Sequence, residues 1–367
     1  MDWTIFITVI LKEELTMNKT DQTFSKLSDL VGSGISRLLP GNNDRQTTSQ
    51  DKIQHPFMVI LNKEISDQVR SWRFIILILL ISLTCLGSIY TALPGIGKSG
   101  TANDPDGAFF FLKLFTLSDG TLPSFVVFIS FLGPLLGISL GFDAVNSEYN
   151  HRTLSRILAQ PIYRDYLLNA KFLAALRVIS VMFLALGLLV MGFGLVAIGI
   201  PPSVDEFLRI FTFVGMSILY VAFWLNLSIF FSVQFRQPAT SAFAGIAVWI
   251  FFSIFYGMIV NLITRGITPS SLASDNQIIA FESFKLALLR VMPTQLFSEA
   301  TTTLLMPSVR SLGPLSMEQV QGTIPGPLPF SQSLLLVWPQ VTGLLAATVI
   351  CFALSYFSFM RREIRSR

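Results

Sequence analysis

Six long apolar runs, each nearly free of charge, alternate with polar segments along the chain. They cover Phe74–Leu93, Leu122–Phe142, Phe172–Ile200, Phe207–Val233, Ala239–Ile263 and Leu334–Met360, and the third carries Arg177 near its start. A helix needs about 20 apolar residues to cross the hydrocarbon core, and only helices or closed barrels satisfy their backbone groups there. The pattern therefore predicts an all-α fold, an integral membrane bundle of six transmembrane helices.

The polar segments between and before these runs have their own periodicities. Residues 1–55 are rich in Ser, Thr, Asn and Asp with scattered charge, a composition expected of a flexible tail. Within it, Trp3–Leu11 is apolar but lacks a basic leader and a small-residue cleavage site, so it does not read as a signal peptide. Residues 56–73 read as an interfacial amphipathic helix. Pro56 suits a first turn, and Phe57, Ile60, Leu61, Ile65, Val69 and Trp72 recur at helical spacing opposite Asn62, Lys63, Asp67 and Arg70. The transmembrane domain then spans 74–360, with a connecting loop at 143–171 and a long outer loop at 265–333, and a basic tail follows at 361–367. In the outer loop, Gln277–Met292 reads as an amphipathic helix that Pro293 breaks, giving a partly helical extracytoplasmic segment that either caps the outer mouth or covers helix ends.

Composition agrees with this class: 52% of residues are hydrophobic, 13% are charged, and mean hydropathy is +0.62. The distribution of Lys and Arg sets an orientation. Nine precede the first run, from Lys12 to Arg73; Arg152, Arg156, Arg164 and Lys171 lie between the second and third; Arg236 lies between the fourth and fifth; and Arg361, Arg362, Arg365 and Arg367 close the chain. The opposite loops are poorer in basic residues, which predicts that both termini are cytoplasmic. The net charge of +4 then follows from topology and implies no nucleic-acid partner.

The most informative polar segment follows the second run. It reads Asp143-Ala-Val-Asn-Ser-Glu148-Tyr-Asn-His-Arg152-Thr153-Leu154-Ser-Arg-Ile-Leu158-Ala-Gln-Pro161-Ile-Tyr-Arg164, with Lys171 and Phe172 beyond. Leu154, Ile157 and Leu158 share one side of a short predicted helix, Arg152, Ser155, Arg156 and Gln160 the other, and Pro161 ends it. From the residues alone, a solvated basic connector fits this pattern better than an apolar knob for a cleft on a soluble partner.

Asp143, Glu148, Thr153, Leu154, Leu158, Pro161, Arg164, Lys171 and Phe172 resemble the cytoplasmic loop of ABC-2 type transporter permeases. Tyr149-Asn150-His151 stands where that family has a basic-acidic run, and Arg152 stands where it has Gly. Asn62 to Ser71 resembles the Lys-Glu-Leu-x-Asp helix before the family's first span. The resemblance implies an ATP-driven exporter in a bacterial cytoplasmic membrane, with Asp143, Glu148, Arg152, Thr153, Leu154, Leu158, Pro161, Arg164 and Lys171 coupling it to a separate ABC ATP-binding subunit. It also implies a second permease subunit, the same chain or a relative, besides membrane lipids, and no cofactor on this chain because ATP binds the partner. An alternative is a membrane scaffold that passes ATPase motion to an extracytoplasmic partner without moving solute.

Other chemistry is sparse. Ala92 to Ser99 satisfies a relaxed phosphate-loop pattern, but it follows a membrane run instead of a buried strand and is predicted to lie outside. His55 and His151 lack metal-ligating neighbours at useful spacing, and Cys85 and Cys351 sit mid-run, where a thiol packs as a small apolar group. Few charges enter the runs, which disfavours an ion-coupled carrier. Asn226 and Asn261 are polar exceptions suited to interhelical bonds, and Gly187, Gly192, Gly194 and Gly199 suit close helix approach.

Overall fold

The computed structural model describes residues 56–98, 109–151, 153, 163–269, 273–314 and 326–361. Every regular element among them is helical. The first is α1 (Pro56–Val69), then α2 (Trp72–Lys98), α3 (Phe110–Thr116), α4 (Phe125–Gly141), α5 (Asn146–Asn150), α6 (Arg164–Ile198) and α7 (Val204–Gln234). Next come α8 (Pro238–Ile250), a π turn (Phe251–Phe255) and α9 (Tyr256–Arg265), and finally α10 (Asp275–Leu289), α11 (Pro293–Leu305) and α12 (Phe330–Arg361). Six segments are long and apolar enough to cross a membrane, one for each predicted run, with α8, the π turn and α9 forming the fifth.

Helix ends follow local chemistry more than hydropathy. The third span begins at Arg164 instead of Phe172, because nothing between Arg164 and Lys171 interrupts a helix once extended Tyr163 has been passed. It ends at Gly199, whose φ of 77° suits a residue without Cβ. The fourth begins with a capping box: Glu206 N–H donates to Ser203 Oγ at 3.2 Å, and Ser203 N–H donates to Glu206 Oε2 at 2.9 Å. The phosphate-loop lookalike is helical through Lys98, a backbone that forms no phosphate cradle.

Helix α7 is the centre of the bundle. Phe213, Tyr220, Val221, Trp224 and Leu225 are fully enclosed, and α4, α6, α8, α11 and α12 all pack on it. Helix α4 comes closest through Gly133, Gly137 and Gly141. A Cβ at Gly137 would lie 2.8 Å from the Val221 carbonyl oxygen, and one at Gly141 would lie 2.8 Å from that of Leu225. Of the predicted glycines, Gly187 and Gly194 do face neighbours closely, whereas Gly192 meets nothing within 4 Å.

The 265–333 loop contains two unlike helices. Helix α10 buries none of its residues, and its described contacts are with α9, where the Tyr256 hydroxyl donates to the Leu288 carbonyl at 3.0 Å. Pro293 ends that stretch but also opens α11 as its first residue, and α11 is a core element. Phe297 stacks on Tyr220 with ring centroids 4.4 Å apart, while the Leu304 carbonyl accepts from Arg209 Nη1 at 3.2 Å. Arg209 and Tyr220 lie about 16 Å apart along α7. Helices α10 and α11 therefore make a hairpin that dips into the bundle, and α11 climbs back out beside α7.

Candidate functional site

The end of the bundle that carries the predicted site is built from α1, the segment after Asp143 and the first turns of α6. Helix α1 lays Leu61 on Ala170 and Ala174, all three fully buried, with Phe57 set edge-on to Tyr166 at 5.6 Å. This docking carries Glu64 toward Lys171. Glu64 Oε2 and Lys171 Nζ pair at 2.9 Å with both side chains over nine-tenths buried, and Lys171 Nζ also reaches Glu148 Oε1 at 3.4 Å. From the solvent side Lys63 closes the group, 3.3 Å from Glu64, 3.6 Å from Glu148 and 3.5 Å from Asp67. Burial works to lower the Lys63 pKa, but the carboxylates of Glu64, Glu148 and Asp67 outweigh it and hold the ammonium above its ordinary value.

The segment from Asp143 is pinned at both ends. Asp143 pairs with Arg73 at 2.6 Å, and the same guanidinium lies 4.8 Å from the Phe142 ring centroid. Ser232 Oγ on α7 accepts from Val145 N–H at 2.9 Å and Asn146 N–H at 3.2 Å, satisfying the start of α5. At its far end Asn150 Nδ2 donates to the Arg236 carbonyl at 3.2 Å. Thr153 Oγ1 donates to both the backbone and the carboxylate of Glu148. Between these contacts lies a polar cavity of about 160 Å3, lined by Glu64, Gln68, Arg73, Asp143, Glu148 and Lys171 among others.

Of the predicted coupling residues, Glu148, Thr153 and Lys171 come together in one hydrogen-bonded group, and Asp143 stands at its edge. The Arg164 guanidinium lies 6.0 Å from the Phe359 ring centroid on α12. Arg152, Leu154, Leu158 and Pro161 lie outside the described residues. Glu64 was legible only as part of a helix signature; nothing in its spacing showed that it would be the buried partner of Lys171.

The opposite end holds charges that the scarcity of ionic residues in the runs did not foretell. Arg209 is fully enclosed within the fourth span, paired with Asp205 at 2.7 Å and donating to the Leu304 and Leu328 carbonyls at 3.2 and 2.5 Å and to Ser333 Oγ at 3.1 Å. Glu206 Oε1 accepts from Phe111 N–H at 2.9 Å at the start of α3. Glu299 on α11 receives Arg290, Gln295 and Gln340 at 2.9, 3.0 and 2.9 Å. These charges are consumed by ion-pair, backbone, hydroxyl and amide partners, and they bind the hairpin to the spans. Beside the hairpin tip, α4, the π turn and α11 enclose a mostly apolar cavity of about 400 Å3 containing Ser130, Ser253, Thr294 and Gln295.

A family of proteins described as ABC-2 family transporter protein matches this chain over residues 58–364. Two relatives, each called a probable ABC transporter permease protein NosY, are similar to part of it. The one from Pseudomonas aeruginosa is 28% identical over 205 residues, 54% of this chain and 67% of that protein. The one from Stutzerimonas stutzeri is 25% identical over 214 residues, 55% of this chain and 68% of that protein.

Proposed function

The chain belongs to the ABC-2 family of transporter proteins, and from that premise we propose that this membrane permease subunit is an exporter coupled through residues 143–171 to a separate ATP-binding subunit. The observation that carries the reading is the buried group of Glu64, Lys171 and Glu148. It ties three elements at one end of the bundle, and it ties them through ionic contacts whose geometry is strongly constrained when desolvated. A push on the 143–171 segment would therefore be delivered to α1 and α6 together.

In this reading both termini and the coupling segment face the cytoplasm of a bacterial cell, the hairpin of α10 and α11 faces outward, and a second permease subunit completes the assembly. The cargo is lipophilic or bulky. The cavity by the hairpin tip supports that choice, since its lining is mainly apolar with a few hydroxyl and amide groups. It also includes residues of the π turn, a distortion often found at functional sites.

The test is reconstitution in proteoliposomes with the matched ATPase, comparing Leu154→Ala with Leu158→Ala together against Arg156→Ala alone. Truncating buried interface anchors typically costs about 2 kcal/mol or more, while an exposed rim charge costs much less. The leucine pair should lose complex retention and permease-stimulated hydrolysis, and the arginine variant should keep both. Full stimulation in the leucine pair would remove the coupling assignment.

A further inference from the structure

A groove runs between the last turns of α7 and α12, with a volume of about 450 Å3. Phe230, Val233, Leu354 and Phe357 form its apolar walls, and Gln234, Ser358 and Arg361 stand at its end. Leu354 and Phe357 are about half exposed, so the walls face out of the bundle toward the bilayer. Arg361 lies with its guanidinium 3.9 Å from the Phe357 ring centroid. Among the described residues it has no carboxylate within ion-pair distance. In sequence it opens a tail with four arginines and one glutamate over 361–367.

We propose that this groove is a binding site for an anionic phospholipid of the adjoining leaflet, with the acyl chains along Leu354 and Phe357 and the phosphate on Arg361. The end of an apolar span is where a headgroup lies, and an arginine held on an aromatic ring there keeps its fork free for phosphate. Gln234 and Ser358, which touch each other at 3.4 Å, offer an amide and a hydroxyl to the glycerol region. A neighbouring groove on the other side of the same ridge provides the contrast. It is lined by Ile350, Phe352 and Tyr356 but carries Asp165 and Asn169, so it presents a carboxylate where the first presents a cation. The proposal requires only that the helices span a bilayer, not that an ATPase docks.

Native mass spectrometry of the purified full chain, titrated with phosphatidylglycerol and with phosphatidylcholine of the same acyl chains, tests it. The first bound lipid should favour phosphatidylglycerol about fivefold, the roughly 1 kcal/mol that one basic side chain contributes beside an anionic lipid surface. Arg361→Gln should bring the ratio close to one, Arg361→Lys should retain most of it, and Phe357→Ala should weaken both lipids. Soluble glycerol phosphate in hundredfold excess should displace neither. Equal affinity for the two lipids, selectivity surviving in Arg361→Gln, no effect of Phe357→Ala, or displacement by glycerol phosphate would each overturn it.

Discussion

Glu64 and Lys171 stand 107 positions apart in the chain and meet at 2.9 Å in a nearly closed environment. Neither charge would be tolerated there alone, because removing one partner of a buried pair leaves the other desolvated. Lys171→Met is expected to destabilise the protein by about 3–5 kcal/mol, and Lys171→Met with Glu64→Leu should recover most of that loss. Arg73→Ala supplies the control: its pair with Asp143 is half exposed on the arginine side and should be worth about 1 kcal/mol or less. Unfolding in detergent, read as a double-mutant cycle, checks all three. A single Lys171→Met variant as stable as the parent would show that the buried pair is not holding α1 to α6.

The spans were legible because the bilayer acts as a uniform solvent and asks only for length and hydropathy. What hydropathy does not encode is which face of a span meets protein. The sequence Gly133-x-x-x-Gly137-x-x-x-Gly141 in α4 has the same small-residue character as the glycines of α6, and only the contact with α7 distinguishes it. Helix α11 was hidden for a different reason. Its residues are mixed enough to read as loop, and it becomes core because α7 offers Tyr220 and Arg209, and α12 offers Gln340, as partners. Likewise the Ser203 and Glu206 capping box was readable from spacing alone, whereas the second role of Glu206 toward Phe111 depends on a contact across 95 residues.

The glycines separate into those that need no Cβ and those indifferent to one. Gly137→Ala forces a methyl against the Val221 carbonyl oxygen at 2.8 Å and the Leu225 nitrogen at 2.9 Å, backbone atoms of a helix that cannot yield locally. A cost of about 1–3 kcal/mol is expected. Gly192→Ala meets nothing within 4 Å and gains helix propensity, so it should be neutral or slightly stabilising. Thermal unfolding of the two variants in the same detergent decides the matter. The reverse order of stability would contradict the close approach of α4 and α7.

If α11 belongs to the core and α10 does not, aromatic truncations in the two helices should differ sharply. Phe297 is fully buried against Tyr220, and Phe297→Ala should cost about 3–5 kcal/mol. Phe284 in α10 is 46% exposed, and Phe284→Ala should stay within about 0.5 kcal/mol. Limited proteolysis would show the same contrast, with cleavage after residue 305 accelerated only in the first variant. Comparable effects at both positions would mean that the hairpin behaves as one peripheral unit.

Orientation can be tested independently of any partner. Residues near Glu148 and residues beyond α11 lie at opposite ends of the bundle, since the first group contacts α1 and the start of α6 while the second contacts the start of α7. Placing Lys and Arg on the cytoplasmic side puts His151 inside and Gly313 outside. Both positions are exposed, and a Cβ at Gly313 meets nothing within 4 Å. In a background carrying Cys85→Ala and Cys351→Ala, Gly313→Cys should react with a membrane-impermeant maleimide in intact cells. His151→Cys should react only after permeabilisation. Inverted labelling would turn the coupling segment away from cytoplasmic ATP and so remove the basis for docking an ATPase there. Labelling of both from one side would break the six-span arrangement itself, because an odd number of crossings separates the two positions in any bundle of this order.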